Sequence, residues 1–205
     1  VRHRTLDLTD YDKLPGTLHS LLDGVKNLNL VVLNAGMLGE IRDLNNTPLS
    51  DAKKVMEINL WSNKAVMDWL HEWDGEMAQV VMISSGASIL GNRGWGGYAL
   101  SKAALNMLAK LYAHEFVNTH ISALAPGIID TAMMDYLCEQ ADPQSFPALQ
   151  RLRDARGTET MPGPRDAAAK VLSVVPQLRE RPSGSFVDIR EILEPELFAR
   201  LYTPS

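Results

Sequence analysis

The strongest constraint on the fold is the alternation of short apolar runs with longer segments that repeat at helical spacing. The run at 28–33 is apolar on both faces, which is typical of a strand buried inside a parallel sheet. The predicted strands are 1–8, 28–33, 80–83, 120–124 and 185–189, and the predicted helices are 11–25, 50–73, 98–116 and 166–175. Strands that alternate with helices of this length predict an α/β fold, with a doubly wound parallel sheet and right-handed crossovers.

The size and composition of the chain exclude several classes of protein. Its 205 residues carry a net charge of −5 and show no basic stripe, so nucleic acid is not expected as a partner. No apolar run approaches the roughly 20 residues that a membrane-spanning helix needs. The single cysteine, Cys138, predicts a reducing, cytoplasmic compartment, and the five scattered histidines predict no metal site. No linker or internal repeat divides the sequence, so one domain over 1–205 is expected.

Ser85, Tyr98 and Lys102 form the sharpest candidate for chemistry. Tyr98 and Lys102 are four residues apart in a predicted helix, so both side chains lie on one face. A nearby ammonium stabilises a phenolate and lowers its pKa, which prepares a tyrosine for acid–base work near neutral pH. Ser85 follows a predicted buried strand, at the edge where α/β sheets bind ligands, and its hydroxyl suits a carbonyl oxygen. Because a Tyr-x-x-x-Lys pair also occurs on many solvated helices, the context of the pair decides its meaning.

That context resembles the short-chain dehydrogenase/reductase family. Residues 83–85 read Ile-Ser-Ser and residues 98–104 read Tyr-Ala-Leu-Ser-Lys-Ala-Ala, as in the family. Further motifs occur in the family's order at 7–10, 33–36, 59 and 126–131, with Leu33 in place of the first asparagine of an Asn-Asn-Ala-Gly motif. The resemblance implies a Rossmann-like fold and an enzyme that transfers hydride between NADP(H), or NAD(H), and a carbonyl or alcohol substrate.

The resemblance also implies roles for the matching residues. Tyr98 exchanges the proton, and Ser85 holds the carbonyl oxygen. Lys102 lowers the pKa of Tyr98 and contacts the ribose, and Asn59 anchors a water of the proton relay. The residues implied in cofactor binding are Asp7, Leu8, Asn34, Ala35, Gly36, Tyr98, Lys102, Pro126, Gly127, Ile129 and Thr131. Within the family, 94–95 and 183–188 are most similar to sepiapterin reductases and bacterial benzil reductases, which implies a ketone or diketone substrate.

One part of the family's pattern has no match in the sequence. The glycine-rich phosphate loop and the strand–helix–strand unit that carries it do not occur. The family's sheet has the strand order 3-2-1-4-5-6-7, and in that order 1–8 would be the third strand and 28–33 the fourth. We expect that this unit precedes Val1 in the molecule, because strands without neighbours would expose unpaired backbone groups. The alternative is a remnant in which 1–8 pairs directly with 28–33. A non-catalytic scaffold that no longer binds dinucleotide is the rival to an enzyme.

Two further expectations concern the partner and the substrate. The helices at 50–73 and 98–116 carry apolar residues on more than one face, and in the family these helices form a dimer interface, which implies a homodimer or homotetramer.

Residues 131–162 contain several prolines, are expected to be irregular and match the family's variable substrate loop. Trp95, in the glycine-rich loop 91–97, is either a wall of the substrate pocket or a packed loop residue.

Overall fold

The computed structural model describes residues 1–140, 142 and 144–202. Ala141, Pro143 and residues 203–205, which fall within the predicted domain or the predicted 131–162 segment, lie outside the described residues. The strands are β1 (Asn27–Leu28), β2 (Val31–Leu33), β3 (Glu76–Met77), β4 (Gln79–Ile83), β5 (His120–Ala125) and β6 (Ser185–Asp188). The α-helices are α1 (Leu14–Leu22), α2 (Leu49–Met56), α3 (Ser62–Glu72), α4 (Ala87–Leu90), α5 (Gly96–Glu115), α6 (Ala132–Asp135), α7 (Ala148–Ala155), α8 (Pro164–Leu178), α9 (Ile189–Leu193) and α10 (Pro195–Tyr202). In the described ranges, no helix is both long enough and apolar enough to cross a membrane.

A parallel sheet of four strands, in the order β2-β4-β5-β6, forms the centre of the fold. The short strands β1 and β3, which directly precede β2 and β4, pair in parallel with each other. In the register of the sheet, Val80 lies opposite both Val31 and Ile121. Parallel neighbours cannot be joined by a hairpin, and the chain returns through helices between each pair of strands. The predicted α/β class with a parallel sheet is therefore confirmed.

The central strand β4 explains why helices lie on both faces of the sheet. Val80, Val81 and Met82 of this strand are each 0% exposed. Because side chains alternate along a strand, Val80 and Met82 pack with Leu105 of α5 on one face. Val81 packs with Val174 of α8 on the other face. The two faces of this one short strand therefore pack against two different layers of helices.

The predicted strand at 1–8 is wrong. Residues 1–8 form no strand, and they do not pair with β2. Instead, the side chain of Arg4 donates a hydrogen bond to the Ser20 hydroxyl of α1 at 2.9 Å, and Arg2 donates to the Leu21 carbonyl at 3.3 Å. Three consecutive polar residues, Arg2, His3 and Arg4, favour solvent over a sheet, and no strand among the described residues lies alongside to supply a ladder.

The predicted strand at 28–33 is present as two shorter strands, β1 and β2, with a break at Asn29 and Leu30. The expectation that it is buried on both faces is also wrong, because Val32 is 43% exposed. Within the described residues, β2 has a ladder partner on one side only, so it is an edge strand. An apolar run therefore predicts a strand correctly here but does not predict its place in the sheet.

The two long predicted helices differ from expectation at their ends and in one interior turn. The helix predicted at 50–73 begins at Leu49, and it is interrupted by a wider π turn at Glu57–Trp61 between α2 and α3. The helix predicted at 98–116 runs from Gly96 to Glu115. Two glycines begin α5, which the sequence pattern assigned to the preceding loop because glycine has a low helix propensity.

The segment at 131–162 is more regular than predicted. It contains α6, a second π turn at Tyr136–Gln140, and α7. Leu137 and Leu149 are buried in an apolar cluster with Trp95, which is 7% exposed and is thus a packed residue. The prolines were misleading because Pro147 immediately precedes α7, a position where proline starts a helix rather than ending one.

Gly184 offers a test of how tightly β6 approaches α5. It has a φ of +84°, and a Cβ atom there would stand 2.8 Å from the Lys110 Cα atom and 3.0 Å from the Ala113 Cβ atom. Gly157 has a similar φ of +78°, but a Cβ atom there would meet nothing within 4 Å. We expect Gly157→Ala to lower the free energy of unfolding by about 1 kcal/mol, and Gly184→Ala by about 3 kcal/mol or more. Urea denaturation measures both, and equal losses would contradict the packing.

Candidate active site

The candidate site lies where the parallel strands end. Ser84 and Ser85 follow β4, Pro126 follows β5, and Asn34 follows β2. The carboxyl ends of parallel strands meet at one edge of a sheet, which is where open α/β sheets bind their ligands. The backbone N–H of Ser84 donates to the Leu124 carbonyl at 2.7 Å, so the ladder between β4 and β5 continues as far as the candidate serine. Helix α5 supplies the remaining groups at this edge.

Lys102 is a buried cation at the centre of this site. Its side chain leaves the residue only 3% exposed, and its Nζ donates a hydrogen bond to the Ile83 carbonyl at 2.7 Å. The same Nζ lies 5.8 Å from the centre of the Tyr98 ring, one helical turn earlier on α5. Burial lowers the pKa of Lys102 to about 8, because the charged form loses its hydration. Lys102 thus joins α5 to the end of β4.

Tyr98 and Ser85 face each other across the end of the sheet. A side-chain hydrogen bond with Ser85 lowers the pKa of Tyr98, but burial raises it by more, so the net direction is upward. This direction is opposite to the lowering that a nearby ammonium was expected to produce. The physical reason is that Tyr98 is removed from water, and this loss of hydration disfavours the charged phenolate by more than the Ser85 hydrogen bond favours it.

Asn59 lies in the π turn between α2 and α3 and is 0% exposed. Its Oδ1 accepts from the Met37 backbone N–H at 2.7 Å, and its Nδ2 donates to the Met37 carbonyl at 2.8 Å and to the Ser101 hydroxyl at 2.9 Å. Both donor hydrogens of the amide are therefore used within the protein. Asn59 ties the loop after β2 to α5, directly beside Lys102.

Two side chains that follow Asn59 donate hydrogen bonds back to carbonyls of the π turn. The Ser62 hydroxyl donates to the Ile58 carbonyl at 2.7 Å, and the Asn63 amide donates to the Asn59 carbonyl at 2.8 Å. Asn63 and Ser101 support the site but were not identified from the sequence. The available signal was a run of polar residues, Asn59, Ser62 and Asn63, inside a helix that is otherwise apolar in its interior.

The loop after β2 approaches this group closely. Asn34, Ala35 and Gly36 are exposed. A Cβ atom at Gly36 would stand 3.3 Å from the Asn59 Oδ1 and 3.4 Å from the Lys102 Nζ, so this position forms a shallow cradle that a side chain would fill. An open backbone edge beside a buried cation has the chemistry that hydroxyl and phosphate groups of a nucleotide require.

The segment 126–131 reaches the same region from β5. Gly127 has a φ of +83°, which turns the chain, and Ile189 of α9 packs against it. Ile128 packs in the apolar cluster that also contains Tyr98. Ile129 is half-buried and Thr131 is exposed at the start of α6. The Pro-Gly segment therefore borders the side of the site on which Tyr98 lies.

The segment 7–10 forms a local turn before α1. Asp7 Oδ1 accepts from the Thr9 backbone N–H at 3.0 Å and from the Thr9 hydroxyl at 2.8 Å, and these bonds lower the pKa of Asp7. Leu8 is half-buried in the same turn. Tyr11 donates a hydrogen bond to Glu57, at the start of the π turn that carries Asn59. The structure thus links this segment to the site through one hydrogen bond between Tyr11 and Glu57.

Within residues 1–140, 142 and 144–202, histidine, cysteine and carboxylate side chains form no cluster that could hold a metal ion. The candidate site contains a hydroxyl, a phenol and an amine. The structure brings together Ser85, Tyr98 and Lys102, as the sequence indicated. Asn59 joins this group through its hydrogen bond to the hydroxyl of Ser101, the residue before Lys102.

Comparison with known proteins agrees with this geometry. Residues 1–142 match the short chain dehydrogenase family, and the chain belongs to that family. A benzil reductase ((S)-benzoin forming) of Saccharomyces cerevisiae is 28% identical over 84% of this chain and 70% of its own length. A sepiapterin reductase of Rattus norvegicus is 31% identical over 80% of this chain and 63% of its own length. Family membership confirms the resemblance found in the sequence, and with it the class of NAD(P)-dependent oxidoreductases.

Solved structures show the same fold. The crystal structure of a short chain dehydrogenase/reductase from Saccharomyces cerevisiae has a TM-score of 0.75 and 25% identity, and the match covers 91% of this chain and 75% of that one. A structure titled as ElxO with NADP bound has a TM-score of 0.70 at 22% identity, covering 91% of this chain and 75% of that one. At that identity the second match shows the fold alone. The chain is shorter than these relatives, spanning 59% of an uncharacterized oxidoreductase of Saccharomyces cerevisiae that is 32% identical over 74% of this chain.

The buried charge of Lys102 gives a prediction that needs no substrate. Because burial lowers its pKa from 10.5 to about 8, the charged lysine destabilises the folded state fully below pH 8, and this penalty disappears as the pH rises from about 8 to about 10.5. We expect Lys102→Met to raise the free energy of unfolding at neutral pH by up to about 3 kcal/mol, and by much less near pH 10. Guanidinium denaturation at the two pH values measures the difference, with the exposed Lys110→Met on the same helix as control. A gain that is the same at both pH values would contradict the burial.

Proposed function

We propose that the protein is a carbonyl reductase or alcohol dehydrogenase that uses NADP(H), with NAD(H) as the alternative. The observation that carries this proposal is the placement of Tyr98 beside Ser85, with Lys102 buried one helical turn away, at the carboxyl edge of a parallel sheet. The relatives named as benzil and sepiapterin reductases support a ketone or diketone as the substrate. The NADP-bound neighbour of the same fold makes NADP(H) the first cofactor to test.

Ser85 and Tyr98 act on the carbonyl oxygen of the substrate. The Ser85 Oγ accepts a hydrogen bond from the Ala87 N–H at 3.2 Å, and its own hydrogen faces the Tyr98 oxygen, where the substrate oxygen is proposed to bind. A hydroxyl placed in this way stabilises negative charge as it develops on a carbonyl oxygen. Tyr98 gives its proton to that oxygen during reduction and takes it back during oxidation. The carbonyl carbon gains a hydride and the oxygen gains a proton, which balances the conversion of ketone to alcohol.

The cradle at Gly36 is the structural reason to place a dinucleotide here. Lys102 would donate to hydroxyl groups of a ribose, because its ammonium lies beside the open backbone of Gly36. When bound, NADP(H) supplies the hydride. The residues proposed to hold it are Asp7, Leu8, Asn34, Ala35, Gly36, Tyr98, Lys102, Pro126, Gly127, Ile129 and Thr131, with 126–131 at the nicotinamide end and 7–8 at the adenine end.

Asn59 positions these groups. Both amide hydrogens of Asn59 are used within the protein, so its side chain has no hydrogen left to donate to the expected relay water. We propose instead that the Asn59 amide holds the loop after β2 against α5, through its bonds with Met37 and Ser101. This keeps Gly36 and Lys102 at a fixed separation.

Residues 131–162 are proposed to shape the substrate pocket. Leu137 and Leu149 of this segment are buried in the apolar cluster that includes Trp95 and Tyr98. The segment is therefore anchored on the ring of the proposed proton donor. Arg156 forms ion pairs with Asp130, which precedes α6, and with Glu139, in the π turn after α6, at 3.2 and 3.0 Å. These ion pairs connect the two ends of this part of the segment.

Tyr98→Phe tests the assignment of the proton donor. The substitution removes one oxygen atom, so we expect kcat for reduction of a diketone such as benzil to fall by at least about 100-fold, while the affinity for dinucleotide is kept. Turnover is followed by loss of nicotinamide absorbance, and binding by thermal shift with NADPH and with NADH. Tyr112→Phe is the matched control, because this tyrosine lies at the other end of α5 and bonds to Asp68.

Two outcomes would contradict the proposal. Turnover of Tyr98→Phe near that of the wild type would remove Tyr98 from the chemistry. The absence of a thermal shift with either dinucleotide would favour the alternative of a non-catalytic scaffold of the same fold.

We also propose a reducing, cytoplasmic setting. Cys138 is the single cysteine of the sequence, so an internal disulfide cannot form. It is half-buried, and burial raises the pKa of its thiol, which keeps it in the unreactive protonated form. A protein with one inert thiol gains nothing from an oxidising compartment.

A homodimer, or a homotetramer built from it, is proposed through the helical region at 50–73 and 98–116. Leu100, Met107 and Leu111 of α5 are more than half exposed and lie within one narrow stripe, because their spacings of 7 and 4 residues return to the same helix face. Trp61, in the π turn, is 46% exposed. Apolar surface arranged as a stripe is typical of a face that a partner covers.

Met107→Lys tests this interface. We expect the wild type to elute as a dimer or tetramer in light scattering at micromolar concentration, and Met107→Lys to shift the mass towards the monomer, since a charge in an apolar contact is costly. Leu172→Lys on α8 is the control, because Leu172 is 59% exposed but lies away from α5. A monomeric wild type would contradict the proposed assembly.

A further inference from the structure

Asn106 lies on α5, one helical turn beyond Lys102, and connects the helix to both sides of Ser85. Its Oδ1 accepts from the Ser84 hydroxyl at 2.5 Å, and its Nδ2 donates to the Ser88 hydroxyl at 2.9 Å. The Ser88 hydroxyl in turn donates to the Ser85 carbonyl at 2.6 Å. Because that hydrogen is already used, Ser88 must accept from the amide nitrogen, which leaves the amide oxygen for Ser84.

The residues on both sides of Ser85 are therefore held by shorter hydrogen bonds than the one that the Ser85 side chain accepts from the backbone. Ser84 is 2% exposed and also donates its backbone N–H to the Leu124 carbonyl at 2.7 Å. Ser88 is bonded to the Ser85 carbonyl through both its hydroxyl and its backbone N–H. The Ser85 hydroxyl, by contrast, accepts a long bond from the Ala87 N–H at 3.2 Å and bonds to the Tyr98 phenol. The position of the Ser85 hydroxyl thus depends on its neighbours.

Tyr98, Lys102 and Asn106 lie on one stripe of α5, since residues four apart along a helix share a face. The helix that carries the proposed proton donor also carries the amide that holds the Ser85 turn. A single rigid element thereby sets the separation between the Tyr98 phenol and the Ser85 hydroxyl. A change of about 1 Å in such a separation is enough to lower a catalytic rate about 100-fold.

We propose that Asn106 is a positioning residue for the reaction, which holds the Ser85 hydroxyl in register with Tyr98 through Ser84 and Ser88. This inference rests on the proposed function. A purely structural role for the same network would change stability, but it would not act through Ser85. The two roles are separated by asking whether the effect of Asn106 requires the Ser85 hydroxyl.

A double-mutant cycle in the purified protein asks this question. We expect Asn106→Leu to lower the rate of carbonyl reduction by about tenfold or more, with unchanged affinity for dinucleotide. In a Ser85→Ala background, Asn106→Leu is expected to change the remaining rate by less than about twofold. Single-turnover measurements with enzyme in excess extend the range to slow variants. Asn118→Leu, the same change at an exposed position beyond α5, is the control.

Ser88→Ala keeps the test open if Asn106→Leu does not fold. It removes one hydroxyl of the network and is expected to lower the rate in the same direction, again only when Ser85 is present. The inference would be overturned if Asn106→Leu lowered the rate by the same factor in the Ser85→Ala background as in the wild type. It would also be overturned if Asn106→Leu and Ser88→Ala both left the rate unchanged. Either result would leave the proposed function intact. A wild type that reduces no carbonyl with either dinucleotide would overturn the proposed function, and the inference with it.

Discussion

The burial of Lys102 is the constraint on which the rest of the site depends. An ammonium removed from water is stable only if its hydrogens find acceptors, and the Ile83 carbonyl supplies one at 2.7 Å. This bond fixes the distance between α5 and the end of β4. Gly36 lacks a side chain beside the same nitrogen, and Tyr98 lies one turn earlier on the helix. The position of each of these groups follows from where the cation is buried.

The interruption of the helix at Glu57–Trp61 belongs to the same arrangement. The wider π turn carries Asn59, and the Asn59 amide bonds from there to Met37 in the loop after β2. A π turn is a rare departure from the α-helix, and the Ser62 and Asn63 side chains donate to two of its carbonyls. This departure occurs where a polar group reaches Met37 and Ser101.

Local patterns in the sequence predicted the parts of the structure that are locally determined. The buried strand at 80–83, the shared face of Tyr98 and Lys102, and the serine at the end of the strand all follow from spacing and side-chain type. The strand expected at 1–8 did not form, because a strand needs a ladder partner that no local pattern reveals. Asn106 was missed because its partner, Ser84, is 22 residues away, and only packing brings the two to hydrogen-bonding distance. Asn63 was missed because its acceptor, the Asn59 carbonyl, belongs to a π turn that helical spacing does not reveal.

The neutral character of the surroundings of Lys102 has a chemical consequence. Among the described residues, burial is the cause that lowers the pKa of Lys102, and no carboxylate acts against it. A carboxylate partner would hold the proton and keep the pKa of the lysine high. The Ile83 carbonyl accepts from the side chain without that effect, and the pKa of Lys102 is about 8. On the proposed function, a lysine that gains and loses its proton near neutral pH is suited to restore the proton of Tyr98 after each turnover. An aspartate in place of Asn59, whose Oδ1 lies beside the same Gly36 position as the Lys102 Nζ, would therefore hold the proton on the lysine, whereas the amide does not.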